Sequence, residues 1–138
     1  MFELALKVRD YECDMDHVVN NAVYLNYLEH ARHEFLLTLG IRFGELSRLG
    51  TSLVVTRIEA DFKASLVSGD DFMVRTSLLR KGRIRLQFDQ EILRLPDRRL
   101  MLGAVVTGTA LNARGRPEFP PELDKALEVA LERALNGT

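Results

Sequence analysis

The chain has no tryptophan, only one cysteine and four prolines among its 138 residues, and it lacks any apolar run long enough to span a bilayer. The lone Cys13 excludes a disulfide within the chain. A formal charge of −1 gives no overall basic field, which argues against nucleic acid as the main ligand. Because the N-terminus also lacks a secretion-signal pattern, we expect a cytoplasmic protein.

Length and composition predict a single domain over residues 1–138. The hydrophobic content is 46%, enough for a chain of this length to bury its own core. No repeat, low-complexity segment or change in composition divides the sequence.

The N-terminal third predicts a strand followed by a long helix. Residues 2–9 alternate apolar and polar side chains, as in a half-buried strand. From Ala22 to Leu39 the apolar period becomes helical, and Gly40 suits a helix C-terminus. The stripe expected to be buried consists of Leu25, Leu28, Ala31, Phe35 and Leu39.

The remaining two thirds predict four strands and a final helix. Apolar and polar side chains alternate again after a possible short helical turn at residues 45–48. Turns are predicted at residues 68–70 and at Lys81-Gly82. The expected strands are 51–63, 72–78, 84–91 and 100–112, and the helix is about 121–135.

This order of elements predicts an α+β fold. Hairpin-linked strands in a meander give an antiparallel sheet, and one apolar face on each strand requires a cover. We expect the long helix to supply that cover.

The segment before the helix has a pattern suited to acyl transfer. Asp14 lies in a polar loop that ends at Asn20 and Asn21, where the helix begins. The unpaired N–H groups of a helix N-terminus can hold a developing oxyanion, and a nearby carboxylate can act on the same carbonyl. Aspartate in such a loop is also a common turn residue, and both asparagines are good N-caps whatever the function.

A family resemblance supports the catalytic interpretation. The segment VRDYECDMDHVVNNAVYLNYLEHARHEFL, residues 8–36, resembles the signature of hotdog-fold thioesterases of the 4-hydroxybenzoyl-CoA thioesterase type. Phe62-Lys63-Ala64 with Gly69-Asp70 resembles their second marker. Within the family the chain is most similar to plant and cyanobacterial acyl-acyl-carrier-protein thioesterases related to methylketone synthase. The resemblance implies an antiparallel sheet wrapped around one long central helix.

The same resemblance implies roles for individual residues. Asp14 would be the catalytic carboxylate, either as nucleophile or as base for water, and the backbone N–H of Asn21 would polarise the thioester carbonyl. Glu29 is a second candidate, which could orient water. Many relatives have glycine at the place of His17, and histidine tolerates a positive φ better than most residues. Substrate contacts are expected from His17, Asn20 and Tyr24.

Basic residues cluster around the second predicted turn, at Arg80, Lys81, Arg83 and Arg85. Such a cluster is either a solvated sheet edge or a place where phosphates of coenzyme A or an acidic carrier protein bind. For the second interpretation we expect Lys81, Arg83 and Arg85 to contact substrate.

We expect neither a metal nor an organic cofactor. His30 and His33 are one helical turn apart, but no third ligand stands at a standard offset from them. Cys13 is flanked by Glu12 and Asp14, an acidic setting that disfavours the thiolate. We therefore expect this cysteine to pack rather than react.

Together these features predict an enzyme that hydrolyses fatty or β-keto fatty acyl thioesters of acyl-carrier protein or coenzyme A. An aromatic acyl-CoA thioesterase of the hydroxybenzoyl or dihydroxynaphthoyl type, a hotdog dehydratase and a non-catalytic acyl-binding module remain alternatives. Because one helix cannot close an acyl tunnel, we expect a homodimer, or a homotetramer of two dimers.

Overall fold

One long helix lies against a five-stranded antiparallel sheet in the computed structural model, which describes residues 1–135. Each strand carries the alternating pattern noted above, and Asn20 caps the start of the long helix. The elements are β1 (Phe2–Lys7), a short 3₁₀ turn (Asp10–Glu12), α1 (Asn21–Thr38), α2 (Phe43–Arg48), β2 (Ser52–Phe62), β3 (Asp71–Lys81), β4 (Arg85–Leu95), β5 (Arg99–Leu111) and α3 (Pro121–Leu135).

The strand order is β1-β3-β4-β5-β2, so the prediction of a four-strand meander was wrong for β2. Only β3, β4 and β5 are linked as consecutive hairpins, whereas β2 pairs with β5 at the far edge. The reason is that the turn at residues 68–70, which leads into β3, pairs with the end of β1. Strand β1 therefore lies beside β3, and β2 does not. Gly69 N–H donates to Val8 O at 3.0 Å, and Val8 N–H donates to Asp70 O at 2.9 Å.

Helix α1 buries a different stripe from the one predicted. Leu28 and Ala31 are buried as expected, but Leu25 remains 37% exposed. Tyr24 and Tyr27 take core positions instead, which a tyrosine can do when its hydroxyl has a hydrogen-bond partner. Phe35 and Leu39 are only half-buried, against a second core cluster.

The core has two parts along α1. The first surrounds the N-terminal half of the helix, where the rings of Tyr27 and Phe72 lie 4.6 Å apart. The second lies at the other end, where Leu123 and Leu127 of α3 pack with Leu36. The predicted turn at residues 45–48 corresponds to α2, and α3 occupies the range predicted for the final helix. None of the helices within residues 1–135 is both long and apolar enough to cross a membrane.

A buried glutamine joins the helix to the sheet between these two parts. Gln90 of β4 accepts a hydrogen bond from Arg32 at 3.1 Å, and it donates to Leu28 O and to Thr76 Oγ1 at 3.0 Å each. Burial lowers the pKa of Arg32. The network fixes the position of α1 over the sheet and satisfies polar groups that would otherwise be costly to bury.

Candidate active site

Asp14 lies at the start of the turn of a small hairpin formed by residues 13–19, called the Asp14 hairpin below. Cys13 and Val19 form an antiparallel bridge at its base. Asp14 N–H donates to Val18 O at 2.9 Å, and His17 N–H donates to Asp14 O at 3.0 Å. His17 has a φ of 66°, in the left-handed region that glycine adopts most readily. This backbone conformation explains why many relatives have glycine at this position. In this chain His17 adopts the same conformation.

The carboxylate of Asp14 serves the turn with only one of its oxygens. Oδ1 accepts the N–H of Asp16 at 2.8 Å. This is the hydrogen bond of a turn residue, the alternative role considered for Asp14 in the sequence analysis. Among the side chains that the structure describes, residues 1–132, no donor lies within hydrogen-bond distance of Oδ2, and the side chain is exposed. The second oxygen is thus open to a substrate or a water molecule.

The first helical residue of α1, Asn21, differs from the next two in its backbone N–H. Asn20 Oδ1 accepts the N–H of Ala22 at 3.0 Å, and Asn20 O accepts the N–H of Val23 at 2.9 Å. The N–H of Asn21 has no acceptor within the part of the chain that the structure describes, and this residue is exposed. This is the donor for which the family resemblance implies a contact with the thioester carbonyl, and it lies at the positive end of the helix dipole. Asn20, expected to bind substrate, uses its side chain as the N-cap.

Two other candidates lie away from this donor. Tyr24 is only 2% exposed and its hydroxyl accepts the N–H of Leu66 at 2.9 Å, so the predicted substrate contact is replaced by an internal one. Burial raises the pKa of Tyr24. Glu29 stands eight residues beyond Asn21, about 12 Å along the helix axis. It is exposed and lies 3.8 Å from His33.

A groove of about 660 Å³ runs along the same side of α1. Its helix wall includes Leu25, Glu29, Arg32 and Leu36, which share a face with Asn21 because they follow it at helical spacing. Most of the facing wall is apolar and comes from α2, β2, β4 and β5. This α1–β2 groove has the size and composition of a site for an acyl chain.

The basic residues of the β3–β4 turn lie at the opposite end of the sheet. Arg80 Nη2 lies 2.8 Å from Asp124, and its guanidinium stacks on Phe119. The group called the basic turn below is exposed and consists of Lys81, Arg83 and Arg85. The Asp14 hairpin meets the sheet next to the start of β3, whereas the basic turn follows its end, ten residues and about 34 Å away. One chain therefore does not bring these candidates to Asp14.

Within residues 1–135 no three His, Cys, Asp or Glu side chains converge in a way that could hold a metal ion. Cys13 is half-buried and packs against the first core cluster, as predicted.

Burial also raises the pKa of Tyr27, helped by its hydrogen bond to Glu12. Neither Tyr27 nor Glu12 was among the predicted site residues.

Comparison with known proteins gives consistent matches. The model of the thioesterase-like superfamily matches residues 8–127. The chloroplastic acyl-acyl carrier protein thioesterase ATL2 of Arabidopsis thaliana is 43% identical over 119 residues, which cover 86% of this chain and 63% of that protein. A putative esterase of Synechocystis, sll0410, is 26% identical over 91% of this chain and 78% of its own. The chain thus spans less than two thirds of ATL2.

Solved structures share the fold. The DHNA-CoA thioesterase of Staphylococcus aureus superposes with a TM-score of 0.87 at 18% identity, covering 99% of this chain and 94% of that one. The hypothetical protein TT1821 of Thermus thermophilus superposes with a TM-score of 0.84 at 27% identity, covering 92% of this chain and 97% of that one. These likenesses confirm the predicted hotdog fold.

Proposed function

The chain belongs to the thioesterase-like superfamily, and from this premise we propose that it hydrolyses fatty or β-keto fatty acyl thioesters to free acid and thiol. The observation that carries the proposal is that exposed Asp14 keeps a carboxylate oxygen without a donor, and Asn21 at the start of α1 keeps an N–H without an acceptor, among the described residues. Similarity to ATL2 favours acyl-carrier protein over coenzyme A as the carrier of the acyl group.

The chemistry follows from these two groups. Asn21 N–H donates to the thioester carbonyl oxygen and stabilises the negative charge that develops there. Asp14 Oδ2 either attacks the carbonyl carbon and expels the thiolate, giving an acyl-aspartate that water hydrolyses, or it accepts a proton from the water that attacks. On both routes water supplies the elements of OH to the acid and of H to the thiol. The α1–β2 groove would hold the acyl chain.

We propose that the enzyme is a homodimer, or a tetramer of two dimers. Strand β2 is an edge strand, and its Val55, Ile58 and Phe62 are between 41% and 51% exposed. An exposed edge with apolar side chains pairs readily with another strand, and a second copy would also close the α1–β2 groove. Light scattering at micromolar concentration tests this proposal, and a stable, fully active monomer would contradict it.

Assembly also bears on the basic turn. Because Lys81, Arg83 and Arg85 lie far from Asp14 in their own chain, they would serve the site of a neighbouring subunit. There they would attract the phosphate of the pantetheine arm or an acidic carrier protein.

Hydrolysis by an Asp14→Asn variant is the direct test. Asparagine keeps an Oδ1 that can accept the Asp16 N–H, so the turn should survive while the nucleophile or base is lost. We expect the rate to fall at least ~100-fold with folding unchanged. Asp16→Asn changes a neighbouring exposed carboxylate and should retain activity. A folded Asp14→Asn variant with near-normal turnover would contradict the assignment.

A panel of acyl-CoA and acyl-carrier-protein thioesters separates the alternative functions. Preference for aromatic CoA thioesters would indicate the hydroxybenzoyl or dihydroxynaphthoyl type of activity. A dehydratase would consume a hydroxyacyl thioester without releasing thiol. A binding module would retain ligand and release no thiol from any substrate, with or without Asp14.

A further inference from the structure

A buried tyrosine of α1 connects the helix to the residue that precedes the Asp14 hairpin. The hydroxyl of Tyr27 donates to Glu12 Oε1 at 2.8 Å, and the same oxygen accepts the N–H of Arg9 at 2.8 Å. Tyr27 is 6% exposed and its ring packs against Phe72. The phenolic group therefore occupies a fixed place in the core while its oxygen reaches the surface loop.

Glu12 carries this contact on to the helix N-terminus. Its backbone carbonyl accepts the N–H of Asn20, the N-cap of α1, at 3.0 Å. One residue thus binds α1 twice, through its carboxylate at Tyr27 and through its carbonyl at the cap. Asp14 follows two positions later, so its backbone is held relative to the free N–H of Asn21.

A second tyrosine holds the other strand of the hairpin. Tyr24 accepts the N–H of Leu66 at 2.9 Å, and the carbonyl of Leu66 accepts the N–H of Val19 at 2.9 Å. The rings of Tyr24 and Tyr27 meet edge to face with centroids 6.2 Å apart. Both strands of the Asp14 hairpin are therefore connected to the same face of α1.

We propose that Tyr27, acting through Glu12, and Tyr24, acting through Leu66, are positioning residues that hold the Asp14 carboxylate and the Asn21 N–H around one thioester carbonyl. The proposal deepens the proposed thioesterase function and rests on it. Neither tyrosine reaches the substrate. Their effect is geometric, and a displacement of about 1 Å at a reacting group can cost roughly 100-fold in rate.

The hydroxyl groups distinguish this role from simple core packing. A phenylalanine at either position would fill the same space without the cost of burying a hydroxyl. Both hydroxyls are instead used on groups that lead to the Asp14 hairpin. Burial raises the pKa of Tyr27, so its proton stays in place to be donated to Glu12.

The Tyr27→Phe variant tests the proposal, with Tyr11→Phe as its matched control. Tyr11 precedes Glu12, is 76% exposed, and has a hydroxyl that accepts a hydrogen bond from Arg9. We expect Tyr27→Phe to lower kcat about 10- to 100-fold with KM nearly unchanged, since substrate contacts remain. Tyr11→Phe should stay within about twofold of wild type. A folded Tyr27→Phe variant with normal kcat would overturn the proposal.

Glu12 supplies a second variant that leaves the core ring untouched. Glu12→Gln keeps an acceptor for the Tyr27 hydroxyl and should retain most of kcat. Glu12→Ala removes the acceptor, and most of kcat should be lost. This pair keeps the proposal testable even if Tyr27→Phe folds poorly. Equal activity of the two Glu12 variants would overturn it.

A double-mutant cycle with Asp14→Asn separates positioning from a general loss of structure. If Tyr27 acts through Asp14, adding Tyr27→Phe to Asp14→Asn should cost no further activity. An equal fold-loss in both backgrounds would overturn the positioning role. Full hydrolysis by Asp14→Asn alone would instead contradict the proposed function, so the two failures give different results.

Discussion

The two ends of the sheet hold their charged groups in different ways. At the end where β3 begins, backbone hydrogen bonds and two buried tyrosines hold the Asp14 hairpin against α1. At the end where β3 finishes, the basic turn is exposed, and none of its three cations forms an ion pair within residues 1–135. Fixed groups can act on a single bond, whereas free cations provide only an attractive field.

From this difference we predict separate tasks for the two ends. Chemistry requires the distance between two groups to stay constant to within a fraction of an ångström, which is what the hydrogen bonds of the Asp14 hairpin provide. Capture of an anionic carrier requires charge but little geometry, and long exposed side chains are sufficient. Substitutions at the first end should therefore change kcat, and substitutions at the second should change KM.

The largest effect is expected from Asn21→Pro. Proline removes the N–H of Asn21, which has no acceptor among the described residues, and it does so at the first helical position, where proline is well tolerated. Asn20 already has φ −63° and ψ 139°, which suits a residue before proline. We expect kcat to fall about 100- to 1,000-fold, the usual cost of one oxyanion donor.

Asn21→Ala is the matched control for this substitution. It removes the same side chain but keeps the backbone N–H, so turnover should remain near that of wild type. Circular dichroism tests whether both variants keep α1. If the two variants lose activity equally, the side chain of Asn21 matters rather than its N–H. That result would contradict a catalytic role for this N–H at the Asp14 end of the sheet.

Much of the fold was predictable because local pattern and tertiary position agree. The alternation of residues 2–9 and the change of period at Ala22 reflect the burial of one face of a strand and one face of a helix. Asn20 is an N-cap because its side-chain oxygen can accept a backbone N–H of the first helical turn. Asp14 and His17 also lie together because they are close in sequence, and the N–H of His17 donates to Asp14 O. Local geometry of this kind is available to sequence reasoning.

What sequence could not provide depends on contacts between distant segments. The exposed positions of β2 follow from its place at a sheet edge, which alternation does not reveal. The distance of the basic turn from Asp14 follows from which end of β3 each one meets. The resemblance led us to expect Tyr24 at the substrate, and its observed partner, Leu66, could not be identified from the sequence because it lies 42 positions away along the chain. The i,i+3 spacing of the two tyrosines was the available signal for their shared role.

A smaller effect is expected from charge reversal at the basic turn. The double variant Arg83→Glu/Arg85→Glu should raise KM roughly tenfold and leave kcat nearly unchanged, because contacts with the carrier are equal in the ground and transition states. Salt screens such contacts over about 8 Å at physiological ionic strength, so the defect should shrink as salt is added. Kinetics at several salt concentrations measure this.

Arg98→Glu is the comparison at the other end of the sheet. Arg98 is exposed in the β4–β5 turn, beside the start of β3. A larger KM defect from Arg98 than from the basic turn would mean that a chain binds the carrier at its own Asp14 end. A defect with acyl-carrier protein but not with acyl-CoA would mark a protein-docking surface, and a defect with both would mark a site for the shared pantetheine phosphate. No change in KM from the basic turn would leave it a solvated edge.

The smallest effect concerns stability at alkaline pH and depends on the tyrosines that hold the Asp14 end. Burial raises the pKa of Tyr27 above its value in the unfolded chain, so the folded state retains the proton that the unfolded state loses above about pH 10. The stabilising effect is complete below that pH and declines as pH rises. From pH 9 to 10.5, denaturant titration should show the unfolding free energy of Tyr27→Phe falling less than that of wild type, by roughly 1 kcal/mol. Tyr11→Phe, which removes an exposed hydroxyl, should follow the wild-type curve, and equal slopes for all three proteins would contradict a buried proton at the Asp14 end.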